Sequence, residues 1–125
     1  MTEQEKKELQ ERVKSVIERV NNAAVQAGRD PGEITLVAAT KMNDAERVQA
    51  AIEAGIRVCG ENRVQETLEK LPYLDADFQI DLIGRLQINK VKYIIDKVAM
   101  IQSLDREPLA QEIDRRAQQH GLRMP

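Results

Sequence analysis

The feature that most constrains the fold of this chain is a fourfold alternation of short apolar runs with longer segments of helical periodicity. The apolar runs span residues 34–39, 56–60, 78–83 and 98–102. The first of them, ITLVAA, is apolar on both faces and is typical of a parallel strand buried on both sides. Because parallel strands are connected by right-handed crossovers, and the crossovers here are helical, the pattern predicts an α/β fold of order α(βα)₄.

A helix and a turn precede the first strand, over residues 1–32. Thr2 and Glu5 have the spacing of a capping box, and apolar residues then recur at steps of three and four. Gly28 is placed to end this helix. The later helices also have candidate N-terminal caps, namely Asn43 or Asp44, then Asn62, and finally Ser103 or Asp105.

The composition predicts one globular domain over residues 1–125 and narrows its possible partners. Hydrophobic residues make up 42%, charged residues 32%, and the net charge is -2, which gives no electrostatic reason to expect nucleic acid or an anionic membrane. The single cysteine, Cys59, is expected to be a small buried hydrophobe in a reducing compartment. The charged N-terminus has no signal-peptide segment and no run is long enough to span a membrane, so we expect a cytoplasmic protein.

Candidate functional residues follow from the rule that parallel α/β folds bind ligands beyond the carboxyl ends of their strands. That rule selects residues 40–43, 61–63, 84–87 and 103–105. Lys41 stands out because only Thr40 separates it from the first apolar run, which predicts a stem against the sheet and an amine at the rim. Partial burial would favour the neutral amine, which is a nucleophile for aldehydes. A solvated lysine that only marks the strand end is the commoner alternative.

The neighbours of Lys41 on this rim have structural as well as ligand-binding interpretations. Asn62 can cap a helix, which is the more frequent role of such a residue, and can hydrogen-bond a ligand as well. Glu61 could pair with Arg63 or with Lys41. Gly84 allows a close backbone approach over the mouth of the sheet, or serves only as a turn glycine.

Other site chemistries find little support in the sequence. Neither G-x-x-x-x-G-K-[ST] nor G-x-G-x-x-G occurs. One histidine and one cysteine cannot build an ordinary zinc site, and His120 is expected to act as a cation near a helix end. The helix that starts near residues 87–90 would suit an anion at its free N–H groups, although solvated surface is the simpler interpretation.

Three segments, ITLVAATK, CGENRVQE and LIGRLQINK, resemble in this order and spacing the pyridoxal phosphate homeostasis protein family, which is related to the barrel domain of alanine racemase. The resemblance covers the whole chain. It implies the first half of a TIM-type (β/α)₈ barrel that binds pyridoxal 5′-phosphate (PLP) as a Schiff base on Lys41. It further implies that Asn62 lies near the cofactor ring, that Gly84 contributes to the cofactor site, and that the protein carries or buffers PLP without turnover.

The sequence departs from the family pattern in two respects. Asp81 stands where the family usually has a histidine before the L-I-G segment. The family chain is about twice as long and closes eight strands, and its phosphate-gripping loops lie in the second half. A half barrel would leave one sheet face open. We expect a complementary C-terminal half-barrel, supplied as another chain or lost by cleavage, or self-association of two copies, or a first helix that covers the open side.

Three functions remain open from the sequence. The first is a non-enzymatic PLP-binding protein of intracellular PLP homeostasis. The second is a racemase-like PLP enzyme, which would need an acid/base on the opposite face of the cofactor; the rim offers no histidine or tyrosine, and Tyr73 and Tyr93 are expected on helices. The third is a truncated or engineered half-barrel that binds PLP weakly or not at all.

Overall fold

The computed structural model describes residues 1–74 and 77–125, and within them four parallel strands alternate with helices. The strands form one sheet in which each is paired with its neighbour along the chain. They are β1 (Val37–Ala39), β2 (Val58–Glu61), β3 (Gln79–Leu82) and β4 (Met100–Ile101). The predicted α/β class and parallel order are therefore confirmed. Each strand is shorter than its apolar run, most of all β1 and β4, which have a neighbour on one side only.

The helices that precede, connect and follow these strands are α1 (Glu3–Gln26), α2 (Ala45–Glu53), α3 (Val64–Lys70), α4 (Val91–Ile94) and α5 (Glu107–Gln119). Three short 3₁₀ helices accompany them, at Pro31–Glu33, Leu71–Tyr73 and Ile88–Lys90. The fourth helix is shorter than its periodicity predicts, yet the apolar residues that defined it, at positions 91, 94, 95 and 98, are all buried. Among the described residues, no helix combines the length and the apolar character that crossing a bilayer requires.

The predicted caps are confirmed at the first two α-helices. Thr2 Oγ1 accepts from the backbone N–H of Glu5 at 3.1 Å, which completes the capping box of α1. Gly28 follows the end of this helix with a φ of 75°, in the left-handed region that glycine adopts without strain. Asp44 caps α2 by accepting from the N–H of Arg47 at 2.9 Å.

The predicted caps of α3 and α5 are wrong. The N-cap positions are Arg63 and Arg106, and neither side chain caps its helix. Asn62 precedes α3 by two residues and packs against the end of β3 instead. Ser103 and Asp105 also lie too early, because α5 begins at Glu107 with a proline in its first turn, where one backbone N–H fewer needs a partner.

The two faces of the sheet have different surroundings. One face packs on the helices and forms the core, which joins Cys59, Ile80 and Leu82 of the strands to apolar residues of α2 to α5. Side chains alternate between the faces, so the residues in register at Ala39, Gly60, Asp81 and Met100 point to the other, inner face. Ala39 is exposed there, although Gly60 and Asp81 are buried, and the prediction of a first strand buried on both sides is therefore wrong.

The first helix lies against α2 and not over the open face. Gln10 Nε2 donates to the carbonyl oxygen of Ala50 at 3.1 Å, and Lys6 pairs with Glu53 at 3.2 Å. Apolar residues of α1, such as Val13 and Ile17, join the edge of the core. The expected arrangement in which the first helix covers the open side is therefore not the one that the structure adopts.

Candidate functional site

Lys41 lies directly beyond β1, in a tight turn over residues 40–43. The backbone N–H of Asn43 donates to the carbonyl oxygen of Thr40 at 3.2 Å. The side-chain amide of Asn43 donates to the carbonyl oxygen of Lys41, also at 3.2 Å. Met42, the third residue of the turn, has a φ of 62°, in the left-handed region that side chains other than glycine seldom adopt. The predicted strand-end position of Lys41 is confirmed, but its predicted partial burial is wrong, since the turn projects into solvent and leaves this residue exposed.

Thr40 anchors this turn to the sheet. Its backbone N–H donates to the carbonyl oxygen of Gly60 at 3.0 Å, which extends the pairing of β1 with β2. Its hydroxyl donates to Oε1 of Glu61 at 2.9 Å. Thr40 is 6% exposed and Glu61 2%, so the carboxylate at the end of β2 is buried and requires a cation.

That cation is Lys70, the last residue of α3. Its Nζ lies 2.8 Å from Oε1 of Glu61 and 3.1 Å from Oε1 of Glu66, and it donates to the carbonyl oxygen of Thr40 at 2.9 Å. Burial of the ammonium opposes its charge, but the hydrogen bonds and charges of Glu61 and Glu66 outweigh burial and raise the pKa of Lys70.

The second acid of this network, Glu66, reaches the turn as well. Its Oε1 accepts from the backbone N–H of Met42 at 2.7 Å. That hydrogen bond, followed by the one from Lys70, lowers the pKa of Glu66. We refer to Glu61, Glu66 and Lys70 below as the acid–lysine network.

The sequence did not predict this network. The expected pairing of Glu61 with Arg63 or with Lys41 is wrong, because Glu61 pairs with Lys70 and the other two cations are exposed on the surface. The available signal was the spacing of Glu66 and Lys70, four residues apart on one helix, which predicts that the two side chains meet. Their joint reach to Glu61 and Thr40 depends on how α3 packs on the sheet.

Asn62 and Gly84 meet where β2 and β3 end. A Cβ atom on Gly84 would lie 2.7 Å from Cα of Asn62 and 2.8 Å from its Cβ and carbonyl oxygen. The group that closely approaches Gly84 in this structure is Asn62, and the expected approach of Gly84 to a group over the mouth of the barrel stays a prediction. Lys41, Asn62 and Gly84 follow the ends of three adjacent parallel strands, so all three lie on one rim; their contact with a cofactor stays a prediction.

Asp81, on the inner face below this rim, is 5% exposed. Its Oδ2 accepts from Nε2 of Gln102 at 2.7 Å, from the residue after β4. The acid that replaces the usual family histidine is thus held by a neutral amide and lies in register with Gly60 of β2.

The remaining candidates have structural surroundings. Cys59 is buried, as predicted, and burial together with the charge of Glu61 raises the pKa of its thiol to about 11. His120 follows the last residue of α5 and is exposed. The helix start near residues 87–90 is a single exposed 3₁₀ turn, which favours the interpretation as solvated surface.

The rim carries a primary amine and a side-chain amide on adjacent strand ends. Lys41 offers an exposed primary amine on a backbone that is hydrogen-bonded at each side, and Asn62 offers a half-buried amide on the adjacent strand end. The missing side chain of Gly84 is what lets Asn62 lie so close to β3. A primary amine is a group that reacts with aldehydes, and a carboxylate, Asp81, lies on the inner face below the rim.

Curated relatives share one description. The pyridoxal phosphate homeostasis protein of Aquifex aeolicus is 44% identical over 113 residues, which are 90% of this chain and 50% of the relative. That of Pseudomonas aeruginosa is 37% identical over 106 residues, 84% of this chain and 46% of the relative. The chain spans about half the length of the curated relatives it matches. No family model matches the chain.

Solved structures agree with these relatives. The crystal structure of an unknown protein from Bifidobacterium adolescentis superimposes with a TM-score of 0.89 at 35% identity, over 99% of this chain and 55% of that one. PipY of Synechococcus elongatus PCC7942 with PLP bound matches with a TM-score of 0.70 at 34% identity, over 82% of this chain and 49% of that one. The fold is that of one half of a β/α barrel of the class to which PipY, with PLP bound, belongs. Within that class, the chain corresponds to the N-terminal half of the pyridoxal phosphate homeostasis proteins.

Proposed function

We propose that this protein binds PLP as a Schiff base on Lys41 and serves intracellular PLP homeostasis, in the cytoplasm, without catalytic turnover. The observation that carries the proposal is the placement of Lys41, an exposed amine on a hydrogen-bonded turn at the end of β1. The likeness to PipY, a structure with PLP bound, supports the choice of cofactor.

Attachment of the cofactor as a Schiff base requires one amine from the chain. Lys41 would hold the cofactor through Nζ, and PLP would supply an aldehyde carbon; forming the carbon–nitrogen double bond would release the aldehyde oxygen as one water, with both hydrogens taken from the amine. Asn62 stands on the neighbouring strand end, where its amide would orient the ring by a hydrogen bond. Exposure of Lys41 to solvent keeps the attachment reversible, which a carrier of a reactive aldehyde requires.

A direct experiment tests the attachment. PLP is added, the absorbance of the imine is recorded, the adduct is reduced with borohydride, and the labelled peptide is mapped. We expect the label on Lys41 and its loss in Lys41→Arg, which keeps the charge. Lys97→Arg is the matched control, because Lys97 is exposed and pairs only with its neighbour Asp96 at 3.1 Å among the described residues. Label spread over many surface lysines, or none on Lys41, would favour a half-barrel that binds PLP weakly or not at all.

A racemase-like enzyme is the second candidate. The observation that favours it is the position of Tyr73, which shares a surface cleft with Met42 and Asn43 beside Lys41. An acid/base group acting with Lys41 would have to reach the opposite face of the cofactor. Racemisation or transamination by the PLP-loaded protein, lost in Tyr73→Phe, would establish this candidate; PLP binding with no turnover supports the carrier.

The open inner face implies a partner for the sheet. Ala39 is exposed and Met100 is 36% exposed on the two outer strands of this face, while Gly60 and Asp81 on the inner strands are buried. Since the chain spans about half the length of its relatives, a complementary C-terminal half-barrel would cover this face. Association of two copies is the alternative. Size-exclusion chromatography with light scattering separates them: a monomer at every concentration eliminates self-association, and a complex with a separately produced C-terminal half supports complementation.

A further inference from the structure

We infer that the acid–lysine network positions Lys41 by holding the two peptide groups on either side of it, and thereby selects this lysine for the aldehyde. Glu61, Glu66 and Lys70 touch neither the cofactor nor the reacting amine; they act through the backbone. The inference rests on the proposed function in one respect, namely that the aldehyde attaches at Lys41.

The two hydrogen bonds to the turn fall on either side of Lys41. The carbonyl oxygen of Thr40 belongs to the peptide group before Lys41 and accepts from Nζ of Lys70 at 2.9 Å. The N–H of Met42 belongs to the peptide group after Lys41 and donates to Oε1 of Glu66 at 2.7 Å. Both anchoring side chains come from α3 and lie 3.1 Å from each other. The Cα of Lys41 thus lies between two peptide planes that are each held by a hydrogen bond. Together these planes set the direction in which its side chain leaves the backbone.

The strain at Met42 shows that the turn is held from outside. A φ of 62° is unfavourable for any residue with a Cβ, and such a conformation persists only where its surroundings impose it. The side chain of Met42 is 91% exposed, so packing of that side chain does not impose it. Its backbone hydrogen bond to Glu66 is the contact from outside the turn that does, and it adds to the hydrogen bonds of Asn43 within the turn.

The burial of the network points the same way. An ion pair between Lys70 and Glu61 is costly to desolvate, and apolar side chains of similar volume would often stabilise a core as well. An apolar pair would leave the hydroxyl and carbonyl of Thr40 without their present partners. The ion pair therefore gives Thr40 two hydrogen bonds that an apolar pair could not: Glu61 accepts from its hydroxyl and Lys70 donates to its carbonyl oxygen.

Two substitutions at one position isolate the effect. Glu66→Ala removes the acceptor for Met42, whereas Glu66→Gln keeps a side-chain oxygen in its place. Glu69→Ala is the matched control, since Glu69 is exposed on the same helix and, within residues 1–74 and 77–125, accepts only from Gln65 at 3.3 Å. The Glu66 side chain is 26% exposed, so all three variants are expected to fold, which thermal unfolding checks.

The first readout needs no cofactor. Hydrogen exchange of the Met42 amide is expected to be about tenfold faster in Glu66→Ala, and close to wild type in Glu66→Gln and Glu69→Ala. The second readout is the share of borohydride-trapped PLP on Lys41, which is expected to fall about threefold or more in Glu66→Ala and to recover in Glu66→Gln. A role in stability alone would alter the melting temperature and leave this share unchanged.

Two results overturn the inference. One is unchanged exchange at Met42 in Glu66→Ala; the other is faster exchange with an unchanged share of label on Lys41. If wild type takes no PLP on Lys41, the proposed function fails instead. Reductive methylation with formaldehyde, which compares Lys41 with Lys97, then still decides whether the network positions the amine.

Discussion

The Cα of Asn62 would lie only 2.7 Å from a Cβ on Gly84, so the ends of β2 and β3 are in contact through backbone atoms that cannot rotate away. Gly84→Ala therefore forces the rim apart. We expect a loss of about 1–3 kcal/mol in the free energy of unfolding, measured with urea. Gly32→Ala is the control, since its nearest atom is an Asp30 oxygen at an ordinary 3.4 Å. Equal stability of the two variants would contradict the contact.

Removal of Lys70 leaves a buried charge without a partner. Lys70→Met is expected to lower the free energy of unfolding by about 3–5 kcal/mol, because Glu61 remains 2% exposed with no cation beside it. Replacing Glu61 by Gln in the same chain should recover much of the loss. Lys97→Met breaks only an exposed pair and should change stability by less than about 1 kcal/mol. A mild effect of Lys70→Met alone would show that the pair is not buried.

The acid–lysine network predicts a stability that falls at both ends of the pH range. Glu66 has a lowered pKa when folded, so its contribution is present above its ordinary value of 4.5 and is lost as the pH falls through the folded pKa. Lys70 has a raised pKa, so its contribution is present below 10.5 and is lost as the pH rises through the folded pKa. Urea unfolding measured across this pH range should show that the free energy of unfolding falls less steeply on acidification for Glu66→Gln than for wild type. The charges of Arg63 and Glu61 also influence this pH dependence. Parallel acid limbs would contradict the assignment.

Met42 offers a test of the strained turn. Glycine adopts a φ of 62° without penalty, whereas alanine keeps the Cβ that is crowded there. We expect Met42→Gly to be more stable than Met42→Ala by about 1 kcal/mol in chemical denaturation. Because glycine also loosens the turn, Met42→Gly should carry less PLP on Lys41 after borohydride reduction. If the alanine variant is the more stable of the two, the positive φ is not held in solution.

The thiol of Cys59 should be inert in the folded protein. Burial and the nearby charge of Glu61 raise its pKa to about 11, so little thiolate is present at neutral pH and reagents have no path to it. Alkylation is expected to be slow until urea unfolds the chain and then to proceed at the rate of a free thiol. Rapid modification without denaturant would show that β2 opens readily.

Local chemistry in the sequence determined much of the outline. The alternation of apolar runs with helical periodicity predicted the positions of all four strands. It could do so because the spacing of buried apolar side chains along the sequence differs between strands and helices. The capping box of Thr2 and Glu5 and the cap of Asp44 were also predictable, since each involves residues three apart. The position of Lys41 at the end of the first strand was predictable as well, because the polar residues Thr40 and Lys41 follow an apolar run.

Tertiary packing decided the rest. The pairing of Glu61 with Lys70, the hold of Lys70 on Thr40 and the contact of Gly84 with Asn62 join residues on different elements, and their partners depend on how α3 and β3 lie beside β2. The exposure of Lys41 and of the first strand likewise depended on which face of the sheet the helices cover. The sequence determined that the amine of Lys41 lies at the rim. Only the tertiary structure determined which charged residues hold the backbone on either side of it, because the partner of a buried charge is a residue that the fold brings close to it.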